Sequence, residues 1–148
     1  MTVFMEDADH DFKALMTLHL LLVEDDTDSG EAMTELLRAQ GVAVDWVSSG
    51  AEALQLFRDD PTHAVDVMML DLTLPDMSGL TLLERLSEFI KLPPVVIHSA
   101  ASRSRALEVG RQVGAAAVLQ KPTVWREMKD LLERCRLAAG ARASGNGA

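Results

Sequence analysis

The chain has 148 residues, 48% hydrophobic and 25% charged, with a formal net charge of −9. That length suits one globular domain of ordinary size, and the acidic balance argues against a direct nucleic-acid surface, which needs clustered Lys and Arg against phosphate. The lone cysteine, Cys135, excludes an internal disulfide framework and fits a reducing cytoplasm.

Residues 1–16 carry Glu6, Asp7, Asp9 and Asp11 without a sustained apolar period. They predict a flexible acidic arm or a frayed helix rather than a basic secretory leader, and Met16 offers a second start. A first strand follows at 18–23 (LHLLLV), then a helix over 29–40 with Met33, Leu36 and Leu37 on one face and Gly41 as its stop. The run 42–47 (VAVDWV) predicts a second strand with Trp46 in the packing. Residues 50–58 predict a helix on Ala53, Leu54 and Phe57 that ends before Pro61.

The third strand is 65–70 (VDVMML), followed by a helix over 78–90 that starts at Ser78 and repeats Leu80, Leu83, Leu86 and Ile90. Residues 94–98 (PVVIH) and 116–119 (AAVL) give the last two strands. Between them a helix over 103–113 is capped by Ser102 and stopped by Gly114. A final helix over 124–138 aligns Trp125, Met128, Leu132 and Cys135 as core. The Gly/Ala/Ser-rich end, 139–148, predicts a disordered tail. No apolar stretch reaches the ~20 residues needed to cross a bilayer, so a soluble, cytoplasmic chain without membrane contact is expected.

Five near-continuous apolar strands alternating with five helices predict an α/β fold, a doubly wound five-stranded parallel sheet covered on both faces. Polar residues fall where strands end. Glu24, Asp25 and Asp26 follow the first, Asp71 the third, Ser99 the fourth and Lys121 the fifth. Strand C-terminal ends share one rim, and a strand order of 2-1-3-4-5 places the first and third strands side by side at the switch point where ligands bind. Such a rim pools carboxylates, a hydroxyl and an ammonium. The carboxylates suit a hard divalent ion, Mg²⁺ or Mn²⁺, and one Asp can serve as a phosphoryl-accepting nucleophile. Lysine and serine would then meet phosphoryl oxygens.

The set LLLVEDD (20–26), MLDLTLPDMSG (69–79), VVIHSA (95–100) and LQKP (119–122) resembles the receiver domain of two-component response regulators over about 17–138. The resemblance implies a flavodoxin-like fold. It implies that Asp71 accepts phosphate from a histidine kinase or histidine phosphotransfer protein, and that Glu24 and Asp25 form the acidic pair, with Asp25 the direct Mg²⁺ ligand. Thr73 would complete the metal shell with its backbone carbonyl, Ser99 would be the switch hydroxyl, and Lys121 would pair with the phosphoryl group. Pro75 and Gly79 match the loop after the acceptor strand. Asp26 or Asp28 is left to cap the following helix.

The implied protein is a signalling switch acting on a downstream protein effector, not a turnover enzyme, and a homodimer through the fourth or fifth helix is compatible with it. With about ten residues after 138, it is either a stand-alone receiver or a chain trimmed before an output domain. Two residues depart from the family pattern. Val118 stands where many receivers carry Tyr or Phe, and His98 stands where an apolar residue is common. The expected reading of His98 is a partly exposed strand histidine, with pH sensitivity as the alternative.

Three competing readings have counter-signals. A haloacid-dehalogenase-like phosphatase would carry a second acid where this chain has Thr73. A flavodoxin would follow its first strand with a phosphate loop rather than EDDTDS. A pseudo-receiver, an unphosphorylated scaffold, would not need the acidic pair together with Asp71, Ser99 and Lys121.

Overall fold

The computed structural model describes residues 17–146, so the expected acidic arm, 1–16, lies outside the described residues. In chain order the elements are β1 (His19–Val23), α1 (Thr27–Ala39), β2 (Ala43–Val47), α2 (Gly50–Asp59) and β3 (Val67–Leu70). Next come α3 (Gly79–Ser87), β4 (Val95–Ser99), α4 (Arg103–Val113), β5 (Ala117–Gln120) and α5 (Trp125–Asn146). All strands pair in parallel in the order β2-β1-β3-β4-β5. This is the flavodoxin-like α/β arrangement that the alternation of periods predicts.

Every residue of β3 and β4 is buried, as both faces of the central strands meet helices. Because successive strand residues point to opposite faces, each strand feeds two cores. Leu20, Leu22, Met69 and Val96 pack with Leu37, Met128 and Leu132 on the α1/α5 side. Leu21, Val23, Met68, Leu70 and Ile97 pack with Leu54, Phe57, Leu82 and Leu86 on the other. Trp125 and Cys135 are half-buried against the first core. Trp46 also lies there, over Gly30, where a Cβ would come within 2.1 Å of its ring.

Helix starts follow the side chains. Asp26, Ser49, Ser78 and Ser102 each accept an amide from the first turn they precede. Gly114 ends α4 in the left-handed conformation, φ 68°. Three details differ from the sequence reading. Leu36 is 41% exposed, whereas Gly30, Thr34 and Leu37 form the buried stripe of α1. In α3 the helix stops at Ser87 rather than residue 90, and the fully buried Leu82 shares the inner face with Leu83 and Leu86.

The third difference is the tail. Residues 139–146 continue α5 instead of forming a disordered segment. Ala is the strongest helix former, Gly140 and Gly145 cost only about 1 kcal/mol each, and propagation from an existing helix is cheap compared with nucleation. Ala139 is also 8% exposed and part of the core.

The register positions the site. Val23 pairs with Val47 and Leu70, and Leu70 pairs with Ile97. Ser99 pairs with Gln120. Glu24, Asp71, Ser99 and Lys121 therefore reach the same carboxyl-end rim from four adjacent strands.

Candidate functional site

At the rim, Glu24 leaves β1 with its amide bonded to the Val47 carbonyl at 3.0 Å, and Asp71 leaves β3 with its amide on the Val23 carbonyl at 3.2 Å. These backbone bonds carry the ladder one residue beyond the strands and turn two acids towards each other. Glu24 is 3% exposed, Asp71 is half-buried and Asp25 is exposed. One oxygen from each of the three lies within 4.8 Å of the others. Lys121 crosses from β5, donating to Glu24 Oε1 and, at 3.0 Å, to Asp71 Oδ2.

The second Asp71 oxygen accepts the Thr73 amide at 3.1 Å. Thr73 bridges to Ser78 across the loop, whose return is held by the Gly79 amide on the Leu72 carbonyl at 2.9 Å. A Cβ at residue 79 would lie 3.0 Å from the Asp71 carbonyl oxygen, so a side chain there would press on the loop after β3, a contact that glycine avoids. Ser99 is buried at the same rim. Its Oγ accepts the Ala101 amide at 3.1 Å, while its carbonyl takes the Lys121 amide at 2.9 Å. The structure thus joins Glu24, Asp25, Asp71 and Lys121 directly, and it holds Ser99 next to them through backbone pairing. Asp26 stands apart as the α1 cap. The Ser29 hydroxyl first, and then the Ser29 amide, hold its carboxyl below the usual range.

The electrostatics follow from a half-closed acidic cluster. Burial raises the Glu24 pKa, the Lys121 hydrogen bond and charge offset only part of this, and Asp71 adds repulsion. Burial alone would lower Lys121, but the hydrogen bonds it donates to Glu24 and Asp71 outweigh it and hold the ammonium above the usual lysine value. Lys121 is therefore charged throughout the physiological range.

A group whose folded pKa is raised contributes stability below its unfolded value and loses it as pH climbs through the folded one. For Glu24, the ionised form at neutral pH thus costs the fold. Glu24→Gln is expected to raise the melting temperature at pH 7 without divalent cations, with the gain vanishing near pH 4. Paired thermal melts at the two pH values check this, and an equal shift at both would contradict it.

All three carboxylates are hard oxygen donors, as Mg²⁺ prefers. Glu24 Oε2 is buried without a hydrogen-bond partner. Buried polar atoms are rarely left so, and an ion between the three acids would satisfy it. The residues fit the group.

Several neighbours escaped the sequence reading. The Trp46 indole donates to the Glu24 carbonyl at 2.9 Å, which makes the ring an optical reporter of the site. Asp76, in the loop after Asp71, accepts the Gly50 and Ala51 amides at 3.0 and 2.8 Å, capping α2 from 25 residues away. Local sequence gives no sign of so remote a cap. His98 is a correction: it is 6% exposed rather than partly exposed, and its Nε2 is bonded to Thr123 Oγ1. Burial first, then the Lys121 charge, push its pKa down to about 4, so the ring is neutral near pH 7 and does not titrate there.

The site is thus a doubly wound sheet of this strand order, with three acids at its switch point crossed by one lysine. The family model of the response regulator receiver domain matches residues 20–133, and the chain belongs to that family, within the two-component systems. It is 32% identical over 124 residues to the transcriptional regulatory protein BaeR of Escherichia coli O6:H1, covering 81% of this chain and 50% of BaeR. With the response regulator RppA of Synechocystis it shares 34% over 119 residues, 80% of this chain and 49% of RppA. The chain thus spans about half the length of the curated relatives it matches. Among solved structures, the non-phosphorylated HemR receiver domain from Leptospira biflexa superposes with a TM-score of 0.71 at 33% identity, covering 81% of this chain and 94% of that one. No helix among the described residues is long and apolar enough to cross a membrane.

Proposed function

We propose that this domain is a phosphorylation-controlled switch in which Asp71 accepts a phosphoryl group from a histidine kinase or a histidine phosphotransfer protein. The observation that carries this is the Lys121 ammonium spanning Glu24 and Asp71: a fixed cation beside a half-buried carboxylate that its acidic neighbours would otherwise repel. An Asp71 oxygen attacks phosphorus, and the new O–P bond forms as the P–N bond of the donor phosphohistidine breaks. Lys121 then pairs with a phosphoryl oxygen, compensating charge that spreads over the transferring group.

Glu24, Asp25 and Asp71 would hold Mg²⁺ or Mn²⁺, with the Thr73 carbonyl as the proposed backbone ligand. The ion would neutralise charge between acids and phosphate. Ser99, released from the Ala101 amide, would donate its hydroxyl to another phosphoryl oxygen. Phosphorylation would then shift a pre-existing equilibrium between two states, by no more than the differential affinity for them, and so change which cytoplasmic effector the surface binds. A homodimer is one such output. The pseudo-receiver reading has no support, since all five polar residues it could spare occupy one rim.

Intact-mass spectrometry of the chain incubated with Mg²⁺ and acetyl phosphate tests the proposal. One added phosphoryl group, absent when EDTA replaces Mg²⁺, is expected. An unchanged mass in both would overturn it.

A further inference from the structure

We propose that His98 is a positioning residue for phosphoryl transfer: through Thr123 it fixes the turn that carries Lys121. The inference rests on Asp71 being the phosphoryl acceptor.

The three β4 residues before His98 are Val95, Val96 and Ile97, all buried. A polar ring in such a strand is costly unless its nitrogen is bonded, and a leucine there would pack without that requirement. His98 is bonded, across 25 residues, to the Thr123 hydroxyl in the turn between β5 and α5. Two residues earlier in the same turn stands Lys121, whose amide donates to the Ser99 carbonyl at 2.9 Å.

β4 therefore grips the turn at two points that bracket the Lys121 side chain, one through backbone and one through His98. The Lys121 ammonium must reach Glu24 and Asp71 on two further strands, and any slack in its backbone is carried to the tip of a long, flexible stem. Misplacing a catalytic group by about 1 Å can cost on the order of 10²-fold in rate. The ring is also suited to a fixed strut, because burial keeps it uncharged down to about pH 4. Its hydrogen-bonding state is then constant across physiological pH.

The test compares phosphorylation of the full chain by saturating acetyl phosphate in saturating Mg²⁺, with Mg²⁺ affinity read from Trp46 fluorescence. His98→Leu and Thr123→Val are each expected to slow phosphorylation about tenfold and to leave Mg²⁺ affinity within about twofold, because neither touches the three acids. The double variant should be no slower than either single one, as both remove the same bond, and Thr123→Ser should restore the wild-type rate.

Wild-type rates in both single variants would overturn the inference while leaving Asp71 as acceptor. So would a loss in His98→Leu without one in Thr123→Val, which would assign the ring to packing. If His98→Leu does not fold, the Thr123 pair, in a half-buried turn, decides alone. A wild-type chain that takes up no phosphoryl group would remove the parent reading and the inference together.

Discussion

Asp71→Asn is expected to abolish phosphoryl uptake altogether, with the fold intact. Asn has nearly the shape of Asp and keeps an oxygen for the Thr73 amide, which Asp71 now accepts at 3.1 Å, so the loop has no reason to move. What is lost is the nucleophile, since an amide oxygen does not form the acyl phosphate that a carboxylate forms. Asn also withdraws one of three acids that meet within 4.8 Å, so Mg²⁺ affinity should fall as well. Intact mass after acetyl phosphate treatment, read beside circular dichroism, separates chemistry from folding. An unaltered mass gain in Asp71→Asn would move the acceptor elsewhere.

Lys121→Met is expected to have the next largest effect, and a double one. The methionine keeps much of the stem while removing the charge that bridges Glu24 and Asp71. Loss of a positioned phosphoryl-binding cation should slow phosphorylation by roughly 10²-fold at saturating Mg²⁺. The fold should suffer too, because two acids at the rim would face each other uncompensated. Breaking a fully buried pair costs roughly 3–5 kcal/mol; with Lys121 at 21% and Asp71 at 12% side-chain exposure, a loss on the order of 2 kcal/mol fits better.

That loss should have a recognisable pH dependence. Removing Lys121 raises Glu24 further above its ordinary value, so the penalty is present at neutral pH and fades as acid protonates the carboxyl. Denaturant melts at pH 7 and pH 5 without Mg²⁺ check this, and a loss that persists undiminished at the lower pH would contradict it.

Much of the fold could be read from the chain because its strands are short and apolar on both faces. VMML allows no exposed side, and such runs between helical periods leave a covered parallel sheet as the economical arrangement. The rim was legible for a related reason. A strand that ends in Asp71 or Lys121 announces where it ends, and the carboxyl ends of parallel strands lie together. Only the strand order had to be added, and it placed β1 beside β3 as the pairing of Val23 with Leu70 shows.

Part of what was not legible depends on partners remote in sequence. Asp76 caps a helix 25 residues behind it, and His98 finds Thr123 25 residues ahead. Neither pairing leaves a local period. Leu36 failed differently, since a helix face wide enough for three apolar residues buried Gly30 and Thr34 beside Leu37 and turned Leu36 outward. At 139–146, composition suggested a linker, whereas the Ala content and the helix already running into it favoured continuation.

The reading of the rim as one phosphoryl-binding centre is tested most directly by a crystal structure of the chain with Mg²⁺ and beryllofluoride, which mimics a phosphoryl group on a carboxylate. Beryllium is expected on Asp71, the metal against Glu24, Asp25 and the Thr73 carbonyl, and both Lys121 Nζ and Ser99 Oγ within hydrogen-bond reach of the fluorines. Beryllofluoride on another carboxylate, or a bare Asp71 still joined to Lys121 beside an ion bound elsewhere, would contradict it.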